Sequence, residues 1–184
     1  MRTEVAITGV GAVTPLGVGA DALLEQWCAG ICGIEDGVAR CDGFDPREFL
    51  DAKAVRRTDR FSQLAVGACD EAVRQAGWHD GLPYEPERVG CVLATGIGGL
   101  ATLERHHEIY REHGAKRVSP LAVPLMMGNA AAAVLAMRYD LRGYSTAPVT
   151  ACAAGADAIA IAARLIRAGE LDAAIAGGAE SALT

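Results

Sequence analysis

Large rings are scarce in this 184-residue sequence, where three Phe, four Tyr and two Trp make up 5% of the residues. A core built on aromatic stacking is therefore excluded, and the surplus of Ala, Val, Leu, Ile and Gly favours helices lying close on a sheet, an α/β layering. Positive charge is also short: 17 Lys and Arg stand against 23 Asp and Glu, the net charge is −6, and no long polybasic run offsets it. Such a field repels nucleic acid, which is excluded as a partner. Apolar stretches break well before the ~20 residues of a membrane span, and Met1-Arg2-Thr3-Glu4 leads straight into a strand-like run. The expectation is a soluble, cytoplasmic protein with no membrane partner. The six cysteines (Cys28, Cys32, Cys41, Cys69, Cys91, Cys152) lack the dense spacing of a disulfide scaffold, so reduced thiols are expected. No second Cys or His pair follows Cys28-x-x-x-Cys32 at zinc spacing, which leaves no metal site. Neither a low-complexity tract nor a repeat is present, and the length suits a single domain.

What is present alternates strand-like and helix-like segments. Val5–Gly9 reads as a strand, Asp21–Ala29 as a helix, and 30–59 as an irregular excursion rich in Gly and Asp. Phe61, Leu64, Ala65, Ala68, Ala72, Val73 and Ala76 share one face of a helix that Gly77 ends. Val89–Ala94 is fully apolar between turn signals, the pattern of a strand buried on both faces, and Gly96-Ile97-Gly98-Gly99 turns the chain after it. A charged helix over 100–113, a Pro-punctuated loop and an Ala-rich helix over Met126–Tyr139 follow. Thr146–Ala151 reads as strand, Ala153–Ala168 as a helix closed by Gly169, and Ala173–Ala176 as a further buried strand. Alternation of this kind predicts a mainly parallel sheet covered on both faces.

Chemistry concentrates at one thiol. Cys152 falls where a strand gives way to an Ala-rich helix, and unpaired amides at a helix start favour thiolate and can hold an oxyanion. Small neighbours, Ala151, Ala153, Ala154 and Gly155, leave access to it. The plainer alternative is a buried cysteine acting as a small apolar residue, the reading that suits the other five. Gly9-x-Gly11 after a first strand hints at dinucleotide binding, but Thr14 stands where the third glycine belongs and no acidic residue closes a second strand.

Thr150-Ala151-Cys152-Ala153-Ala154-Gly155, with Ala158-Ile159 and Ala176-Gly177-Gly178-Ala179-Glu180 after it, resembles the active-cysteine segment of β-ketoacyl-acyl-carrier-protein synthases, most closely the bacterial elongating type. Val5–Gly11 with Thr14-Pro15-Leu16-Gly17, Thr95–Leu100, and Ser119-Pro120 with Val123-Pro124 and Asn129 agree with the same family in order along all 184 residues. The resemblance implies a thiolase-like α/β fold, of which residues 1–184 form the amino-terminal part, an incomplete first half with a mostly parallel sheet between helices. It implies an acyltransferase with Cys152 as nucleophile, decarboxylating Claisen chemistry and no cofactor. Two histidines and a lysine that support decarboxylation would lie after residue 184. His79, His106, His107 and His113 match no such motif and are expected to face solvent.

The resemblance also implies partners. Lys53, Arg56, Arg57, Lys116 and Arg117 match basic positions that meet acyl carrier protein, Ile97 matches a residue lining the acyl pocket, and Ala122 one contributed across a twofold axis. A dimer, of like or related chains, is expected. Pro148 departs from this pattern by falling inside the nucleophile strand, where it removes a donor. A non-catalytic chain-length partner of a polyketide synthase shares the fold but usually lacks the cysteine. By itself, the segment would expose a sheet edge and an apolar helix face.

Overall fold

A computed structural model describes residues 4–184. Its first elements are a small antiparallel hairpin, β1 (Val13–Thr14) and β2 (Gly17–Val18), followed by α1 (Ala20–Cys28), α2 (Ala52–Arg56) and α3 (Arg60–Gln75). Next come β3 (Val89–Ala94), α4 (Leu100–His113), α5 (Ala122–Met126), α6 (Ala130–Arg138), β4 (Ser145–Thr146), α7 (Ala154–Arg167) and β5 (Ala173–Gly178). Three strands form a parallel sheet in the order β4-β3-β5, with Cys91 opposite both Ser145 and Ile175.

β3 is buried along its whole length because both of its faces are covered. Val89, Cys91 and Leu93 point into a core closed by Phe61, Val66 and Cys69 of α3 and by Ala131, Ala132 and Leu135 of α6. The alternate residues Val92 and Ala94 face Ala154, Ala158 and Ala162, one stripe of α7 at four-residue spacing. Small side chains set that second spacing. A Cβ on Gly178 would lie 3.1 Å from the Cα of Gly155, so α7 and β5 meet almost backbone to backbone. Asp59 caps α3 by accepting from the Phe61 amide, and its other oxygen accepts from the amide and hydroxyl of Thr102, which ties α3 to α4.

Val5–Gly9 does not form the expected strand. Although β-prone, it has no ladder partner among the described residues, and its last residue, Gly9, comes up against α3 instead. Gln75 accepts from the Val10 amide, and the Glu71 carboxylate accepts from Ala12 and Ala20 at 2.9 and 2.8 Å. A cavity of about 410 Å³ separates this segment from the outer edge of β5, lined among others by Ile7, Ala72, Trp78, Ile159 and Ile175. Gly9 and Gly11 serve the contact with α3, since a Cβ on either would lie 2.0 Å from a carbonyl oxygen of the helix.

Two further segments differ from expectation. The strand expected over Thr146–Ala151 stops at Thr146, and a single bridge, Thr95 to Val149, follows. Pro148 explains the break: its carbonyl accepts from the Thr95 amide, so this residue faces β3, and the donor it lacks is missing on that inner side. The helix expected over Met126–Tyr139 starts only at Ala130, because Met127 is extended and Met126 ends the separate short helix α5. Pro124 is not in a loop; it occupies the first turn of α5, where no helical N–H is required. The 30–59 excursion holds α2, a 3-10 turn at Pro46–Glu48, and a tight turn at Asp36-Gly37 with positive φ at both residues.

Candidate functional site

Cys152 is exposed, in a 3-10 turn (Ala151–Ala153) that leads directly into α7. Ala151 carries a φ of 51°, a left-handed conformation costing about 1–2 kcal/mol in a non-glycine residue. That reversal lets the chain leave the strand and enter the helix within a few residues, lifting the sulfur to the surface at the carboxyl end of the sheet. No side chain caps α7; the Ala154 amide at its start donates to the Ala151 carbonyl of the preceding turn, and the positive end of the helix dipole lies beside the thiol. An accessible thiol before an uncapped fourteen-residue helix is suited to attack a carbonyl whose oxygen gains negative charge.

The glycine turn after β3 forms the facing wall. A Cβ on Gly96 would lie 3.6 Å from the Cα of Ala151, so the two turns abut, and Ile97 projects from its turn with 57% of its surface exposed. Ile97 thus stands beside the nucleophile turn. Glu180, just past the end of β5, accepts from the amides of Gly96 and Ile97. Glu180 stands in the Ala176–Glu180 motif of the sequence, but its role depends on a contact 83 residues away that no local pattern marks.

The remaining candidates spread over the surface. Lys53, Arg56 and Arg57 are exposed on and just after α2, Lys116 and Arg117 are exposed in the 3-10 turn after α4, and none of the five joins an ion pair among the described residues. Ala122 is buried in its own chain at the start of α5, while the adjacent Val123 is largely exposed. α5 in turn backs the glycine turn, as a Cβ on Gly99 would lie 2.7 Å from the Leu125 carbonyl oxygen.

Among the other cysteines, burial pushes Cys69 and Cys91 up to about 12, which makes them poor nucleophiles. His79, His107 and His113 are exposed. His106 departs from expectation by being half-buried, with its Nδ1 2.9 Å from the Thr102 carbonyl. Among the described residues, no group of three or more His, Cys, Asp or Glu could hold a metal ion, and no helix is long and apolar enough to cross a membrane.

Residues 35–184 match the family model described as beta-ketoacyl synthase, N-terminal domain. Similar curated proteins include the 3-oxoacyl-[acyl-carrier-protein] synthase 2 of Synechocystis, 36% identical over 100% of this chain and 47% of the relative, and that of Coxiella burnetii, 35% identical with the same coverage. The chain spans about half the length of the curated relatives it matches. Among solved structures, the ishigamide ketosynthase/chain length factor is 27% identical with a TM-score of 0.81, covering 95% of this chain and 52% of that one. A beta-ketoacyl synthase from Burkholderia phymatum is 26% identical with a TM-score of 0.76, over 93% of this chain and 45% of that one. A type II polyketide synthase acyl-carrier protein in complex with its ketosynthase, at 24% identity and a TM-score of 0.84 over 98% of this chain and 52% of that one, shares the fold.

Proposed function

Because the chain belongs to the β-ketoacyl synthase family and has its thiolase-like fold, we propose that the protein containing it is a 3-oxoacyl-acyl-carrier-protein synthase in which Cys152 accepts the acyl group. The observation carrying this reading is the exposed thiol at the start of the uncapped helix α7. In the first half-reaction the Cys152 thiolate attacks the thioester carbonyl, the carrier thiol leaves with a proton, and an acyl thioester forms on the enzyme. In the second, a malonyl thioester loses carbon dioxide, and its carbanion attacks the acyl-enzyme carbonyl. The Cys152 thiolate is then expelled with a 3-oxoacyl thioester as product. The positive end of the α7 dipole stabilises the oxyanion formed on attack. The histidines and lysine that assist decarboxylation lie outside residues 1–184 in this reading, and residues 1–184 alone would be inactive.

Acyl carrier protein is the proposed partner. It is acidic in this reading, and the exposed cations Lys53, Arg56, Arg57, Lys116 and Arg117 offer it unpaired positive charge on an otherwise acidic chain. Ile97 borders the acyl chain beside the sulfur, and Ala122 is the residue that a second chain would contribute to the pocket across a twofold axis. A cytoplasmic dimer fits this reading, because the inward orientation of Pro148 leaves the donors of Ala147 and Val149 on the outer edge of the sheet, where a second chain could pair. A non-catalytic chain-length partner would have no use for an exposed cysteine at position 152.

Mass spectrometry of the full-length protein after incubation with acyl-carrier thioester tests the proposal. A stable acyl adduct on Cys152, lost in Cys152→Ala, is the expected result. Full condensing activity retained by Cys152→Ala would defeat the reading.

A further inference from the structure

We propose that Glu180 is a positioning residue: it holds the turn of Thr95–Gly98 against the Cys152 turn and so sets which acyl chains reach the sulfur, a consequence that rests on Cys152 being the acyl acceptor. β3 and β5 run parallel and in register up to the pair Ala94 and Gly178, and just beyond it the Ala179 amide donates to the Ala94 carbonyl at 3.0 Å. This juxtaposition brings Glu180 under the glycine turn. A single carboxylate oxygen, Oε2, accepts from the Thr95 hydroxyl at 3.1 Å, the Gly96 amide at 2.7 Å and the Ile97 amide at 3.0 Å. The other oxygen accepts from the neighbouring Ser181 amide. Thr95 is buried, and its hydroxyl oxygen also accepts from the Gly98 amide at 3.1 Å.

Three consecutive amides of the turn therefore end on one carboxylate and hydroxyl pair, a charge-assisted arrangement stronger than neutral hydrogen bonds. The backbone at Gly96 is held between that carboxylate and the residue preceding Cys152: a Cβ there would lie 2.7 Å from Glu180 Oε2 and 3.6 Å from Ala151 Cα. Ile97 rides on this turn with most of its side chain free. Its backbone, beside the Cys152 turn, is thus held by an acid 83 residues away in sequence. Without the acid, the amides of Gly96 and Ile97 lose their carboxylate acceptor, and the turn that carries Ile97 is no longer tied against the Cys152 turn.

The test compares the full-length wild-type protein with Glu180→Gln and Glu180→Ala. One readout is amide hydrogen exchange at Gly96 and Ile97, and the other is the rate of Cys152 acylation by a short and by a long saturated acyl thioester. Glu180→Ala should speed exchange at both amides and change the long-to-short acylation ratio about tenfold. Glu180→Gln, which keeps an acceptor oxygen, should restore the ratio to near wild type. Equal loss for both chain lengths, or unchanged exchange at Gly96 and Ile97, would overturn the proposal. If Glu180→Ala does not fold, Glu180→Asp decides: it keeps the charge but falls one methylene short, so exchange at the two amides must rise, and wild-type protection there would overturn it. A wild-type protein that accepts no acyl group would end the assignment of Cys152, while exchange would still show whether Glu180 holds the turn.

Discussion

Gly9 lies so close to α3 that a Cβ on it would sit 2.0 Å from the carbonyl oxygen of Ala72. This contact accounts for one glycine of the Gly9-x-Gly11 pair that, in the sequence, hinted at dinucleotide binding. Substitution Gly9→Ala should push the amino-terminal segment off the helix and destabilise the full-length protein by about 2–3 kcal/mol. Thermal unfolding measures this, and an unchanged midpoint would show that the segment can shift freely.

Cysteine reactivity should separate by burial. Iodoacetamide at neutral pH is expected to modify Cys152 and to spare Cys69 and Cys91 until the protein unfolds. Preloading with an acyl thioester should protect Cys152 while leaving the exposed Cys28 and Cys32 as reactive as before. Peptide mapping reads all five sites, and equal protection at Cys28 would mean that the acyl group is not directed to one thiol.

Acid should weaken one clasp between β5 and the turn before β3. Arg88 reaches Asp172 through two hydrogen bonds, at 2.6 and 3.1 Å, and the guanidinium holds the Asp172 carboxyl below its ordinary value of 3.8. A carboxyl lowered by folding stabilises the protein above its unfolded value and loses that contribution as pH falls through the folded one. Asp172→Asn should therefore lower the melting temperature at neutral pH, and the gap from wild type should close as pH falls below the ordinary aspartate range. A gap that persists unchanged into strong acid would assign it to packing rather than charge.

Charge reversal on α2 tests the docking surface. Arg56→Glu combined with Arg57→Glu should weaken binding of acyl carrier protein roughly tenfold at low salt, mainly through slower association. High salt should shrink the difference, because both positions are exposed and screened. Titration calorimetry at two ionic strengths gives the answer, and a salt-independent loss would point to misfolding of α2.

Residues 1–184 expressed alone should self-associate. The outer edge of β5 has no strand partner among the described residues, and Ile7 and Ile159 beside it are 76% and 51% exposed. Sedimentation reports the outcome, and a monomer that stays in solution when concentrated and unfolds cooperatively would contradict the expectation.

How far the sequence could be read depended on whether each element's partner was local. β3 was legible because six apolar residues between turn signals have few other fates, and α3 because its apolar face recurs at helical spacing. Val5–Gly9 was not, since a β-prone run becomes a strand only if a neighbour offers a ladder, and here the chain that follows it, at Val10 and Ala12, is tied to helix side chains instead. Pro148 was recognised as an anomaly, but which side of the strand it faced needed the Thr95 contact. Cys152 stood out through its place between strand and helix, whereas the anchoring of Ile97 by Glu180 spans 83 residues and left no local pattern.

Glu71 has a consequence for any redesign of this protein. One helical side chain receives the amides on both flanks of the first hairpin, Ala12 and Ala20, so the hairpin is pegged to α3 and not woven into the main sheet. A loop graft between Thr14 and Gly17 would leave every ladder of that sheet untouched, while position 71 tolerates no residue that lacks an acceptor of the same reach.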